Sequence, residues 1–373
     1  MKIYLVGGAV RDKIMGVPTK DKDYLVVGST PEEMISLGYR PVGKSFPVFH
    51  HPETNAEYAL ARTEKKTAKG YHGFKFFTSP DISLEEDLSR RDLTINAIAM
   101  DDSGVIYDPF NGVEDIKNKI IRHVSKAFEE DPLRVLRVAR FKARFNNFSI
   151  NHETKKIMRK IVLKNEMESL SSERILVEIL KGCKENDPLS MLEVLSESGA
   201  LERIMPLEFL KHKNELSILY RLAEYKKLSA EESLIVTMMV SNFFDSQITQ
   251  SFDPAIKKIK LSSNGKKIAE LINKYNNKLI DFPGMSKNNQ LDCCYLFDFF
   301  RRPNLMITAL SLINCTLIAH QGKFRDYINT VTKLNKFKDL IISNKPIING
   351  SINIGEIAEK IYKDRLTLLC SIN

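Results

Sequence analysis

Lys2-Ile-Tyr-Leu-Val-Gly-Gly-Ala-Val-Arg-Asp12, followed by Lys20-Asp-Lys-Asp-Tyr-Leu-Val-Val27, decides how the 373-residue chain is read. The apolar run Lys2 to Val6 predicts a strand that ends on two glycines, with a short helix carrying Arg11 behind them. Glycines at such a turn let the backbone approach a phosphate closely, and a helix start offers N–H groups to an anion; Gly8 and Arg11 are therefore candidate phosphate contacts. The second piece reads as a strand. Residues i and i+2 of a strand face the same way, so Asp21 and Asp23 point together. Two carboxylates on one face repel unless a cation lies between them. Beside a phosphate cradle the simplest cation is a divalent metal of the magnesium type. The spacing predicts metal-assisted phosphoryl or nucleotidyl transfer. Two solvated acids on an exposed edge strand would give the same letters.

Working outward, the composition is that of a globular protein, with a net charge of +9 that suits a polyanionic partner such as nucleic acid. None of the five cysteines forms a Cys-x-x-Cys pair, and the seven histidines are scattered, so neither a zinc site nor a disulfide framework is suggested. The first apolar run is too short for a signal peptide, and Leu305 to Ala319 is too short and too interrupted to span a bilayer. The expected compartment is the cytoplasm, with no membrane partner.

The expected fold class is α+β, a mixed-sheet head followed by helices. Residues 1 to about 122 show short strands at Ile3–Val6, Tyr24–Val27, Glu57–Ala61, Ile95–Met100 and Val105–Tyr107, with a hairpin loop at Asp101-Asp-Ser-Gly104. A helix from Pro31 to Leu37 has Thr30 as its cap. Residues 62 to 80, polar and basic, read as a mobile loop. From 123 the period becomes helical: Pro132 to Phe145, Glu153 to Val162, Ser172 to Lys181 and Leu189 to Ser198. The stretch Ser198 to Pro206 reads as a helix end and connector, and 207–373 as further amphipathic helices. Lys257, Lys258, Lys260, Lys266, Lys267, Lys274 and Lys278 form either a solvated face or a track for a phosphate backbone.

Two further clusters carry chemistry. In Glu85-Glu-Asp-Leu-Ser-Arg-Arg-Asp-Leu-Thr-Ile-Asn-Ala97, Arg91 offers a planar fork for a triphosphate and Asp92 an acceptor for a ribose hydroxyl. In Glu130-Asp-Pro-Leu-Arg134, continuing to Arg144, a helical wheel gathers Arg134, Arg137, Arg140 and Arg144 into one sector opposite Val135, Leu136, Val138, Ala139 and Ala143. Such a row, balanced only by Glu130, repels itself unless an anion lies along it. Asp131 before Pro132 also suits a helix cap. Glu57, opening its strand, is the candidate third acid of a two-metal site.

In this order the clusters resemble the bacterial tRNA nucleotidyltransferases, or CCA-adding enzymes, of class II of the polymerase-β-like superfamily. The resemblance rests on Val6 to Asp12 with Asp21 and Asp23, on Arg90-Arg-Asp-Leu-Thr-Ile-Asn-Ala97, on Asp108-Pro-Phe-Asn-Gly-Val-Glu-Asp115, and on Glu130 to Arg134 with Arg137 and Arg140. Phe46 to Phe49, Tyr58 to Glu64, Ser172-Glu-Arg174 and Gly199 to Pro206 extend it over roughly the first 205 residues. It implies a seahorse-like molecule: a catalytic head (1–122), a neck (123–206) and a body and tail that bind tRNA (207–373). The implied reaction is stepwise, template-independent addition of C, C and A to the tRNA 3′ end from CTP and ATP, with Mg²⁺ held by Asp21 and Asp23. It further implies that Gly8, Arg11, Arg91, Arg137 and Arg140 bind the nucleotide and that Arg91-Asp92 sense its ribose. Asp131 and Arg134 would read its Watson–Crick edge. Some relatives carry a downstream phosphohydrolase of the His-Asp type. Residues 207–373 contain no His-Asp dipeptide, and His212 and His320 are isolated, so no such activity is expected.

Poly(A) polymerases share the head motifs but often have basic extensions that this sequence does not show. A partial CC- or A-adding enzyme and a tRNA-binding protein without catalysis are the other rivals; the 62–80 segment argues against the first and the Asp21/Asp23 pair against the second.

Overall fold

The structure is a computed structural model and describes residues 1–19, 22–42, 48–66, 74–205, 212–244, 259–321, 327–344 and 354–372. The chain divides into two compact units, Met1–Ile204 and Met205–Asn373.

In the first unit, seven strands among the described residues form one mixed sheet in the order β3-β4-β5-β2-β1-β8-β9. They are β1 (Lys2–Val6), β2 (Asp23–Val27), β3 (Arg40–Pro41), β4 (Val48–His50), β5 (Glu57–Leu60), β8 (Ala99–Met100) and β9 (Ile106–Tyr107). The central strands β1 and β2 run antiparallel and β2 and β5 parallel. Alternation sorts their side chains onto two faces. Tyr4, Val6, Leu25 and Ala61 join Ile82, Leu88, Ala97 and Ala99 in one core cluster, while Val26, Met34, Phe49 and Leu60 form the other. The short helix α1 (Gly8–Ile14) follows β1 directly, and α2 (Pro31–Ser36) starts with Thr30 accepting from the Glu33 N–H and a proline at the first turn. The β8–β9 turn is the expected hairpin: Asp101 accepts from the Ser103 hydroxyl, the Val105 N–H and the Tyr107 hydroxyl.

Two sequence readings of the head fail. The loop expected at 62–80 contains β6 (Arg62–Lys66) and β7 (Phe74–Thr78), an antiparallel pair in register Arg62↔Thr78 to Lys66↔Phe74; residues 67–73 lie outside the described ones. A ladder is made by backbone groups, so a lysine-rich stretch can form one without an apolar face. The strand expected over Ile95–Met100 is mostly not one: Thr94–Asn96 is a 3₁₀ turn, and only Ala99–Met100 pairs. A buried apolar run does not reveal its period.

The turn at Thr94–Asn96 is held by α3 (Leu84–Ser89) upstream and α4 (Gly112–Lys117) behind. Asp108 accepts from the N–H groups of Gly112 and Val113, and Asp115 accepts from Thr94 Oγ1 at 2.6 Å and pairs with Arg122. Gly112 lies against Thr94 so closely that a Cβ there would stand 2.2 Å from its carbonyl oxygen.

The unit is completed by α5 (Leu133–Arg144), α6 (His152–Leu163), α7 (Ser172–Gly182), α8 (Pro188–Glu197) and α9 (Ala200–Ile204), each of the first four within one or two residues of its predicted bounds. The last turns part of the expected connector into a helix. Here α5 packs between α7 and α8. The second unit is helical among the described residues. Its Pro303–Gln321 helix is buried on all sides, from Met306 and Ala309 through Leu312, Ile313 and Thr316, and packs against the helices Lys213–Tyr225, Ala230–Phe244, Ser263–Asp281 and Tyr327–Ser343. No helix among the described residues is long and apolar enough to cross a membrane. Of the lysine cluster, Lys257 and Lys258 lie outside the described residues, Lys266 pairs with Glu270, and Lys274 lies over the Tyr275 ring.

Candidate active site

The acidic edge is built by strand register. Asp23 opens β2 opposite Val6, the last residue of β1, and also opposite Glu57, the first residue of β5. Cross-strand partners share a face, so the two carboxylates stand side by side where β1 runs into Gly7. Both residues are exposed, and the Glu57 side chain keeps 61% of its surface, with His50 Nε2 3.9 Å from Oε1. Asp21 lies outside the described residues. Among those described, no group of three or more His, Cys, Asp or Glu gathers as a metal site would require. Asp23 and Glu57 fit a hard divalent cation by their chemistry: oxygen donors, like-charged, adjacent and open to solvent.

Gly7 makes the turn that brings the next group in. Its φ of 69° and ψ of −130° suit glycine, and a Cβ there would lie 3.0 Å from Arg91 Nη1 and 3.6 Å from the Asn96 carbonyl oxygen. Arg91 therefore lies against the glycine turn, next to the acidic edge. Its orientation comes from Asp87, fully buried on α3, which takes Arg90 on one oxygen and Arg91 on the other at 3.3 Å. Burial pushes the Asp87 carboxyl up, but Arg90 and Arg91 together hold it below the usual range.

The arginines of α5 are not the unbalanced row read from the sequence. Arg134 donates to the carbonyls of Ala127 and Arg90, each at 2.6 Å. Arg137 forks onto Asp92 Oδ2 with Nε and Nη2, both at 2.7 Å. Arg140 meets Glu178 at 2.7 Å and Glu185 at 3.2 Å, and Arg144 meets Asp12 at 3.0 Å. The helix carries this charge because carboxylates from α1, the Asp92 loop, α7 and the loop after it supply the balance. Nor is the arginine sector a solvated face, since Arg134 and Arg140 are buried.

Arg11 is 2% exposed. Its Nε and Nη2 donate to Asp12 Oδ1, its Nη1 donates to Asn96 Oδ1, and its guanidinium lies over Phe141 and Phe145 at 5.4 and 5.2 Å. Burial pulls its proton affinity below the ordinary arginine value, against the pull of Asp12. Asn96 passes the chain on to Asp92 at 3.1 Å. Asp131 uses Oδ1 to accept from the Leu133 N–H at the start of α5 and Oδ2 to accept from Arg174 at 2.8 Å. It thus holds one N–H of the first turn, but it is not the cap expected from the sequence: the cap position is Pro132, without a side-chain cap, and the helix starts at Leu133.

Sequence reasoning missed Asp12, Asp87, Asn96, Arg174 and Glu178 as partners. One signal was present. Glu178 shares a helical stripe with Ile175, Ile179 and Gly182, all buried, and a carboxylate on an apolar stripe needs a cation.

Asp92 titrates in a way that can be checked. Burial raises its carboxyl, but Arg137 and the Asn96 hydrogen bond outweigh that and bring it from 3.8 to about 2; Arg137 is raised in turn, chiefly by Asp92. A folded-state value below the unfolded one stabilises the fold above about pH 4, and this contribution is lost as pH falls toward 2. Asp92→Asn is expected to cost about 2 kcal/mol at pH 7 by this linkage. Denaturant titrations at pH 7, 5 and 3 should show the gap between variant and parent constant at first and narrowing at pH 3. A gap unchanged at pH 3 would exclude an ionic origin.

Residues 3–122 match the family model described as the poly A polymerase head domain, and 147–208 the model described as a probable RNA and SrmB-binding site of polymerase A. A multifunctional CCA protein of Paraburkholderia phytofirmans is 57% identical over 212 residues, 55% of this chain and 52% of that one. A CCA-adding enzyme of Coxiella burnetii is 56% identical over 206 residues, 55% of each. The chain spans about half the length of the curated relatives it matches. A CCA-adding enzyme structure, apo form II, has a TM-score of 0.69 at 23% identity over 98% of this chain and 88% of that one. The Bacillus stearothermophilus CCA-adding enzyme in complex with CTP has a TM-score of 0.66 at 23% identity, with the same coverage. These last two establish likeness of fold. The likeness is therefore carried by the first 208 residues: 3–122 are similar to the poly A polymerase head domain and 147–208 to the segment described as a probable RNA and SrmB-binding site of polymerase A.

Proposed function

We propose that this chain adds the 3′-terminal C, C and A to tRNA from CTP and ATP without a template, releasing pyrophosphate, and restores damaged CCA ends in the cytoplasm. The observation that carries the reading is the 57% identity, over 212 residues, to a multifunctional CCA protein. The geometry agrees with it, since the Gly7 turn, the Asp23–Glu57 edge and Arg91 meet at one end of the sheet. In this reading residues 1–122 are the catalytic head, 123–206 the neck that recognises the base, and 207–373 the body and tail that hold tRNA.

A Mg²⁺ ion held by Asp23 and Glu57, with Asp21 as the sequence pattern implies, would stabilise charge on the reacting phosphate. The chain's own groups do the rest. Gly7 and Gly8 let the backbone approach the triphosphate, and Arg91 donates to it across the turn. Arg137, half-buried and forked onto Asp92, is a further donor to the incoming anion. Asp92, with its carboxylate already accepting from Leu93, Asn96 and Arg137, fixes that arginine and shares its oxygens with a ribose hydroxyl. Asp131 accepts from the exocyclic amine of C or A, and Arg134 donates to the ring acceptors. Both are held beforehand, Asp131 by Arg174 and Arg134 by two carbonyls, so reading a base exchanges those bonds for bonds to the base. Arg11, held by Asp12 and Asn96, and Arg140, held by Glu178 and Glu185, act from behind, keeping the turn and α5 in place.

The test is extension of a tRNA transcript lacking CCA, with Mg²⁺ and CTP, ATP or both. Growth by two nucleotides with CTP and by three with both is expected. The description of the head model favours a second reading, poly(A) addition. Long tails from ATP alone would establish it in place of the first. Arrest at CC with both nucleotides would indicate a partial enzyme, and binding without extension a tRNA-binding protein.

A further inference from the structure

One end of the head sheet carries a row of charge assembled from four strands. Register places it: Val6 of β1 stands opposite Asp23 of β2, Asp23 opposite Glu57 of β5, Glu57 opposite His50 of β4, and His50 opposite Arg40 of β3. Cross-strand partners share a face, so the side chains of Asp23, Glu57, His50 and Arg40 follow one another in strand order. His50 Nε2 lies 3.9 Å from Glu57 Oε1. Neighbouring strands are about 4.8 Å apart, which puts Arg40, two strands on, roughly 10 Å from Glu57. The row changes sign along its length. Gly7 and Arg91 flank the two acids on one side, and an imidazole and a guanidinium flank them on the other.

The fold does not account for the cation at its far end. Arg40 is exposed, and its Nη2 donates to the neutral Asn55 Oδ1 at 2.6 Å. No acid among the described residues pairs with it, in contrast to the arginines of α5. A basic group directly opposite an imidazole also adds nothing to a strand pair. An anion arriving from outside would use both donors.

We propose that Arg40 and His50 receive the phosphodiester backbone of the tRNA 3′ end, so that the strand to be extended enters over β3 and β4 while the triphosphate enters from the side of Gly7 and Arg91. This rests on the reading of the site given above. In-line transfer needs the attacking hydroxyl and the leaving pyrophosphate on opposite sides of the reacting phosphorus. The row provides two opposite approaches, with Asp23 and Glu57 between them. Arg40 supplies a permanent charge, and the imidazole has an N–H to donate in either protonation state.

The experiment uses the full chain with Mg²⁺, ATP and a tRNA ending in CC. Arg40→Gln is expected to weaken tRNA binding and raise the KM for tRNA roughly threefold to tenfold, with the KM for ATP within about twofold of the parent. The slope of log affinity against log salt should fall by about 0.7 to 1, as the loss of one phosphate contact requires, and Arg40→Lys should restore it. A merely structural role would move the melting temperature and leave that slope alone. The second probe is tRNA carrying one neutral methylphosphonate at the last or the penultimate phosphodiester. At one of these linkages the parent should lose affinity that Arg40→Gln does not lose again. Unchanged tRNA affinity and salt slope in Arg40→Gln overturn the proposal, as do losses that add in full at both linkages. A parent that extends other RNA 3′ ends but not tRNA defeats the CCA reading alone, and the same variants on that RNA decide the strand path. One that binds no RNA defeats both.

Discussion

A chain carrying Asp23→Ala is expected to add no nucleotide above background, a loss of at least roughly 10³-fold in kcat, while folding and binding tRNA as before. The side chain opens β2 at an exposed position, so its removal leaves no cavity, and stability should stay within about 1 kcal/mol. What it removes is a carboxylate in register with Glu57 and beside the Gly7 turn that Arg91 covers. Glu57→Ala separates the two acids. A loss of comparable size would make Glu57 a partner in the same charge cluster; a change within about threefold would leave it a surface residue of the strand. Primer-extension rates on tRNA ending in CC, with ATP at saturation, give both numbers. An Asp23→Ala chain that extends at the parental rate would remove the acidic edge from the reaction.

How far the sequence carries depends on whether each feature is local. The β1–Gly7–α1 turn was legible because glycine at φ 69° announces itself, and Thr30-Pro31 marks a helix start by a side chain a few residues from the group it caps; the capping box of Ser83 with Glu86 went unread. The α5 arginines were legible as a cluster and misread as unbalanced. Their counter-charges, Asp12, Asp92, Glu178 and Glu185, come from up to 132 residues away, and no periodicity within one helix reports them. The same holds for β6 and β7, whose ladder is a property of two segments rather than of either. Charge counted along one segment therefore overstates how much anion a ligand must supply. In the folded unit the arginines arrive neutralised, so under the proposed function a nucleotide would compete for guanidinium edges that acids already hold.

Gly112→Ala is expected to be the most damaging substitution for the fold, although the residue lies far from the acidic edge in sequence. A Cβ at this position would stand 2.2 Å from the Thr94 carbonyl oxygen, 2.8 Å from its carbonyl carbon and 2.9 Å from Ile98 Cγ1. The first two are backbone atoms and cannot swing aside as a side chain could. Nor can the turn retreat freely: the Thr94 N–H donates to the Arg122 carbonyl, its hydroxyl to Asp115, and Ile98 is fully buried. Either α4 lifts off, breaking the Asp108 bonds to Gly112 and Val113, or the Thr94–Asn96 turn shifts and takes Asn96 away from Arg11 and Asp92. Overpacking against fixed atoms costs about 3 kcal/mol or more, which for a unit of this size lowers the melting temperature by roughly 10 °C. Because Asn96 links Arg11 to Asp92, nucleotide affinity should fall in the protein that remains folded below the transition, a link that thermal melting and nucleotide titration at low temperature would test together. A variant that melts with the parent would mean that α4 and the turn can separate by more than 1 Å at little cost. The buried hydrogen bond from Thr94 to Asp115 argues against such slack, since it would have to be given up without a solvent partner to replace it.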